Sequence, residues 1–379
     1  MRLFFGFSSI EIAPYRNPKN RRKEPLANFS RFNTSRESAI EQRVVVSSFV
    51  LMSPKPQHLF ARLKPRSTSI RSVLSLYAVL RSSGVGSTID ATKAIAATAK
   101  YEGDDCWDII TGKAFVPDNL PIVAVLTLSA TGSEMDIGGV ISNVELNEKQ
   151  PMFGPTLRSN VSFLDPTNTF SVNAYQTASG SVDIMAHVFD VAYFSAQEEM
   201  DMLTRMQEEV LKTVVKFAPA ALEKPDDYDA RANLMWASSW ALNGFLFSGI
   251  EQDAIAHMIE HELSAFYNIT HGHGLAIVIP KWLSYILDEK TAPKIKRLGV
   301  NVFGVDPAFS DTDGAKAAIE AMEKFFFGTL GLKSRLSDLG IDDKNFALMA
   351  KKACGAKGKL EGFTTLTPAD VEKIFELCS

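Results

Sequence analysis

PIVAVLTLSATGSE (121–134) reads as a buried strand running into a loop of small residues. Its first half is short, β-branched and introduced by Pro121, the signature of a strand bounded by breakers. Ser129, Ala130, Thr131, Gly132 and Ser133 then supply hydroxyls with little bulk. Upstream, Gly84-Val85-Gly86-Ser87 is a glycine turn, and Thr88 to Lys100 continues with Ala- and Ile-rich helical character. Such a turn presents backbone N–H groups and a helix dipole to a phosphate, although strand-to-helix glycine turns are also common without a ligand. Thr127, Thr131 and Ser133 fit either a ribose or nicotinamide contact or a capped turn, and Lys149 either a phosphate contact or a surface charge. Leu164-Asp165-Pro166 closes the region.

Beyond Pro166 the pattern turns helical. Apolar residues recur with a 3.6 period through Val182–Phe194, Met200–Phe217, Ala230–Leu246, Ala254–Tyr267, Leu275–Leu287, Ala315–Phe326 and Pro368–Cys378. Phe266 and Tyr267 read as core. No internal repeat stands out.

The first 83 residues break the pattern. Residues 1–88 carry 15 Lys and Arg against 4 acids, leaving 25 against 40 in the remainder and a net charge of -4. Asp is absent before Asp90, and only Val44–Met52 reads as a strand. A basic, Ser-rich start suits a transit peptide or a nucleic-acid arm. A third account is a shifted reading frame, or a wrong gene model, that rejoins near Gly84. On that account the 121–128 strand and its neighbours lose sheet partners.

The 379 residues suffice for two cored domains, and 46% hydrophobic with 22% charged residues is a soluble composition. No run approaches the roughly 20 apolar residues of a spanning helix. Cys106, Cys354 and Cys378 are scattered and odd in number. They form neither a disulfide framework nor a metal spacing, so the expected compartment is the cytoplasm.

Five of the six histidines lie between 187 and 273. Asp183 and His187 are four apart, so a helix turns them the same way, and His257 and His261 repeat the spacing. His271 follows before Gly272. A lone His-x-x-x-His pair is commonly a solvated helix face. One such pair, an Asp-x-x-x-His pair and a further histidine point to a divalent transition metal, since imidazoles suit zinc and iron and a carboxylate offsets charge.

These residues carry a family resemblance. GSTIDATKAIA (86–96), LTLSATGSEMD (126–136), FLDP (163–166), SVDIMAH (181–187), YDARANLMWASSWALNG (228–244) and AHMIEHELSAFYNITHG (256–272) resemble the iron-containing (group III) alcohol dehydrogenases, in particular their butanol dehydrogenase-like branch. The resemblance covers residues 84–379. It implies Asp183, His187, His257 and His271 as ligands of a divalent metal, Fe2+ or Zn2+. It places His261 near the nicotinamide and substrate as the catalytic proton relay, on the ground that imidazole titrates near neutrality. Gly86 and Ser87 then meet the pyrophosphate of NAD or NADP, and Thr127, Thr131 and Lys149 contact the cofactor. His273 has no counterpart and is expected at the surface. Val85 replaces the middle glycine of the family's turn, and Asp136 stands where an amide is common.

The expected fold is thus an α/β N-terminal dinucleotide-binding domain, aberrant before residue 84, plus an all-α C-terminal metal-binding domain. The expected divisions are 1–83, 84–167 and 168–379. The expected function is metal-dependent, NAD(P)-linked interconversion of primary alcohols and aldehydes. A glycerol dehydrogenase-like enzyme, the related dehydroquinate synthase architecture, or a metal-binding protein with an impaired cofactor domain are the alternatives. The expected assembly is a homodimer acting on a small alcohol or aldehyde, with no nucleic acid and no membrane.

Overall fold

A computed structural model describes residues 9–12, 80–84, 86–103, 105–115, 118–194, 200–252 and 254–379. The expected strand at 44–52 lies outside these residues, as do Val85 and His58. Among the described residues no helix is long and apolar enough to cross a membrane.

The first half contains a four-stranded parallel sheet. β1 (Ser9–Ile12), β2 (Leu80–Gly84), β3 (Ile122–Leu126) and β6 (Val161–Leu164) lie in the order β1-β6-β3-β2. Leu80 to Gly84 run in register with Ile122 to Leu126, Val123 faces Val161, and Ser9 faces Val161 from the other side. β3 therefore has neighbours on both edges, contrary to the expectation that it would lack partners. Sequence patterning missed β1, which is only four residues long, and β2, because LRSSG (80–84) has no apolar alternation; parallel pairing to β3 makes β2 a strand.

Gly84 ends β2, and α1 (Gly86–Thr98) begins two residues later. A short helix α2 (Trp107–Ile110) precedes β3. Between β3 and β6 lies an antiparallel hairpin, β4 (Gly138–Asn143) and β5 (Glu148–Phe153). Its turn is set by Asn143, whose side chain accepts from the N–H groups of Glu145 and Leu146, and by Asn147 at φ 47°. Asparagine tolerates this left-handed conformation better than most residues.

The second half is helical, as expected. α3 (Ala174–Val188), α4 (Asp201–Glu223), α5 (Tyr228–Ala241), α6 (Ile255–Tyr267), α7 (His271–Tyr285), α8 (Ala292–Leu298), α9 (Asp311–Glu323), α10 (Phe346–Ala353) and α11 (Pro368–Leu377) follow in order. α3 is buried on all sides from Thr177 to Val188 and continues into a π-helical turn, Phe189–Tyr193. Val182, Met185, Phe189, Ile259, Leu263, Ile279 and Trp282 share its core. Each fully buried large apolar side chain contributes about 1.5–3 kcal/mol. The two halves share apolar contacts as well: Met235 of α5 packs with Ile89, Ala124, Leu126 and Leu164.

Candidate metal and cofactor site

Three helices bring the candidate ligands together. Asp183 and His187 share one face of α3, and His257 and His261 one face of α6. His271 is the first residue of α7. A glycine makes the approach of α7 to α3 possible. A Cβ on Gly272 would lie 1.9 Å from the Ser179 carbonyl oxygen, so any side chain there would separate the helices.

Asp183 Oδ1 lies 3.9 Å from His187 Nε2 and 3.7 Å from His271 Nε2. Ligand atoms of Asp183, His187 and His257 all fall within 4.8 Å of one another. Tetrahedral ligands at roughly 2.1 Å from zinc would be about 3.4 Å apart, so these spacings fit a metal ion.

The donor chemistry fits too. His257 Nδ1 is 2.8 Å from Asp190 Oδ2. A carboxylate only accepts, so Nδ1 carries the proton, and in the neutral imidazole Nε2 presents a bare lone pair. His271 Nδ1 faces Glu260 Oε2 in the same way and frees its Nε2. His257 Nε2 and Asp183 Oδ1 are buried without hydrogen-bond partners. Bare buried acceptors converging on one point are costly unless a cation joins them. Burial pushes the His187 imidazole down to about 4 against the pull of Asp183, leaving it neutral, the form that binds metal.

Asp190 and Glu260 are the residues that sequence reasoning missed. Asp190 sits in the π-helical turn, fully buried, and also takes the N–H groups of Ala256 and His257 at 2.9 and 2.8 Å. It thus holds the first turn of α6 and the His257 ring with one carboxylate. The signal was present: Asp190 is three residues beyond His187 and Glu260 three beyond His257, spacings that share a helix face. Burial opposes ionisation of Glu260, yet His271 and Lys149 hold its carboxyl below the usual range.

Lys149 reaches this cluster from β5. Its Nζ is 3.5 Å from Glu260 Oε2 and 3.2 Å from His271 Nδ1. Glu260, His261 and His271 form a second group of possible ligand atoms, and the Lys149 ammonium stands beside two of them. His261 is buried, its ring 5.4 Å from His271. Burial first, then the charge of Lys149, pushes its imidazole well below the ordinary value. This direction runs against the expectation that it titrates near neutrality.

His273 is corrected as well. It is not a surface residue but 1% exposed, 3.0 Å from the Tyr175 hydroxyl and 2.9 Å from the Lys333 carbonyl. The carbonyl only accepts, so Nε2 donates to it and Nδ1 accepts from Tyr175.

Of the cofactor candidates, Gly86, Ser87, Thr127 and Thr131 lie at the C-terminal edge of the parallel sheet, whereas Lys149 is on the hairpin. Gly86 and Ser87 open α1, where helical N–H groups lack intrahelical partners. Thr127 directly follows β3. A Cβ on Gly86 would come within 2.2 Å of Thr131 Oγ1, so turn and loop touch only because residue 86 is glycine. Buried polar groups of α1 fix the loop: Asp90 accepts from Ser133 Oγ and from the Val140 N–H, while Lys93 donates to Asp136 and to the Gly138 carbonyl. In open α/β sheets this edge is where ligands bind.

Residues 78–166 match the family described as iron-containing alcohol dehydrogenase, and residues 177–378 match the C-terminal part of the Fe-containing alcohol dehydrogenase family. The chain belongs to the iron-containing alcohol dehydrogenase family. It is 45% identical over 294 residues to the NADH-dependent butanol dehydrogenase B of Clostridium acetobutylicum, covering 78% of this chain and 74% of that protein. It is 37% identical to the NADPH-dependent aldehyde reductase YqhD of Escherichia coli, covering 71% and 69%. The crystal structure of NADH-dependent butanol dehydrogenase A from Thermotoga maritima superposes with a TM-score of 0.74 at 34% identity, covering 82% of this chain and 79% of that one. Among iron-containing alcohol dehydrogenases the chain thus resembles the butanol dehydrogenases.

Proposed function

We propose that this chain is an NAD(P)-linked oxidoreductase that interconverts primary alcohols and aldehydes at a divalent metal, Fe2+ or Zn2+. The observation that carries the reading is the convergence of Asp183, His187, His257 and His271, with Asp183 Oδ1 and His257 Nε2 buried and without hydrogen-bond partners. When bound, the metal supplies Lewis-acid polarisation of the substrate oxygen, and the nicotinamide supplies the hydride chemistry.

The chain's own residues do the rest. Asp183 would contribute the anionic ligand, and the imidazoles of His187, His257 and His271 would complete the set. Gly86 and Ser87 offer helix N–H groups to the pyrophosphate. Thr127, Thr131 and Lys149 are assigned to the cofactor, with Lys149 also turned toward the histidines. His261 is assigned beside the nicotinamide; being neutral, it serves as a hydrogen-bond partner or proton acceptor rather than a resident acid. The glycerol dehydrogenase-like alternative has less support, because the relatives named above are butanol dehydrogenases and an aldehyde reductase. The reading includes a cytoplasmic location and a homodimer, and light scattering on the purified protein tests the homodimer.

The deciding experiment is butanal reduction with NADH and with NADPH, beside metal analysis, on wild type and His257→Ala. Wild type should turn over and the variant should lose both metal and activity. Wild type that binds metal but shows no NADH or NADPH fluorescence titration would instead be a metal-binding protein with an impaired cofactor domain.

We also propose that the early residues are not a native dinucleotide-binding half. The charge balance and the missing Asp support this reading. The family match starts at residue 78, which moves the rejoining point upstream of β2. Resequencing the coding region tests it, and an unbroken confirmed frame would rule it out.

A further inference from the structure

We propose that Glu260 and Lys149 are positioning residues for His271, forming a relay in which Lys149 holds the Glu260 carboxylate and Glu260 holds the His271 ring. The proposal rests on the metal reading of Asp183, His187, His257 and His271. Glu260 is fully buried between α6 and α7. Its place is made by Gly274, where a Cβ would fall 2.7 Å from Glu260 Oε1. One carboxylate oxygen takes the Ser264 hydroxyl, and the other faces both His271 Nδ1 and Lys149 Nζ.

The donor inventory orders these contacts. Lys149 can only donate and the carboxylate can only accept, so His271 Nδ1 gives its proton to Glu260 and cannot accept from Lys149. The ammonium is therefore bound through Glu260, and its closeness to the ring follows from sharing that oxygen. The outcome is that His271 Nε2 is turned toward Asp183 and, in the neutral ring, is free to bind a metal. Carboxylate–histidine pairs of this kind typically change metal affinity about 10–100-fold when broken. What is particular to this chain is the third member. Lys149 comes from the hairpin of the nucleotide half, so the presentation of a metal ligand depends on a residue from the other half of the molecule.

The test is a double-mutant cycle read by Co2+ affinity in chelator competition, with thermal unfolding to confirm that each variant folds. Glu260→Gln should bind Co2+ about 10–100-fold more weakly than wild type. Lys149→Met should weaken it by a smaller factor, and the double variant should be no weaker than Glu260→Gln alone, as expected for residues acting in series. Glu262→Gln, on the same helix, should leave the affinity unchanged. An affinity within twofold of wild type for Glu260→Gln, or strictly additive effects, overturns the proposal. Independently of any metal, 15N-histidine NMR of the metal-free wild type should find the His271 proton on Nδ1; a proton on Nε2 overturns it even if Glu260→Gln fails to fold. His257→Ala separates the two levels: if it binds Co2+ as tightly as wild type, the metal reading itself has failed.

Discussion

His271 and His273 stand two residues apart on α7 and differ in every contact. His273 is satisfied on both nitrogens by Tyr175 and Lys333, which is what a structural histidine requires. His273→Ala should therefore cost about 1–3 kcal/mol of stability, since it leaves a hydroxyl and a carbonyl without their partner. Metal content should stay at the wild-type level, and loss equal to that of His257→Ala would undo the assignment. Glu262 gives a second test at this scale. Burial, with Glu148 adding and Lys352 opposing, pushes its carboxyl up to about 7. The folded state then holds the proton between the unfolded value near 4.5 and about 7, so this contribution to stability falls as pH rises through that window. Glu262→Gln should be more stable than wild type at pH 8, by on the order of 1–2 kcal/mol after solvent screening. The gain should shrink toward pH 4.5. A pH-independent difference in unfolding temperature would show that the carboxyl is not the cause.

The helices α3, α6 and α7 place the candidate ligands, and the spacing of α3 and α7 depends on Gly272. Gly272→Ala forces a Cβ to within 1.9 Å of the Ser179 carbonyl, so backbone must move. It should lower stability by a few kcal/mol, as overpacking does. It should also weaken metal binding, because Asp183 and His271 are carried on the two helices that separate. Unfolding and metal analysis check both; loss of stability with full metal affinity would mean that the helices shift without moving the ligands. Much of this architecture was legible in the sequence. The helical half follows its 3.6 period, and the four-residue spacings marked the helix faces on which the candidate ligands meet. The hairpin was not legible, because Gly138-Gly139, Glu148-Lys149-Gln150 and Pro151 show no apolar alternation. Asp90, Lys93, Asp190 and Glu260 were passed over because a carboxylate or lysine on a helix ordinarily faces solvent. Only the packing of a second element over each one buries it.

At the scale of the molecule, a metal that binds the folded state and not the unfolded chain must raise stability. Zn2+ at a hundred times its dissociation constant should add about 2.7 kcal/mol, and chelation should remove it. The shift in unfolding temperature should vanish in His257→Ala, and an equal shift there would place the metal elsewhere. The hairpin β4–β5 touches both halves of the chain. Near its root it is tied to α1 through Asp90 and Val140 and through Lys93 and Gly138. Toward its tip, Asn147 accepts from Lys352 of α10 and Lys149 reaches Glu260 of α6. A strap fastened at both ends limits how the crevice can open. Spreading the halves straight apart would stretch every tie at once, whereas turning about the strap's long axis would stretch few, so any relative movement of the halves is expected to be a rotation about the hairpin.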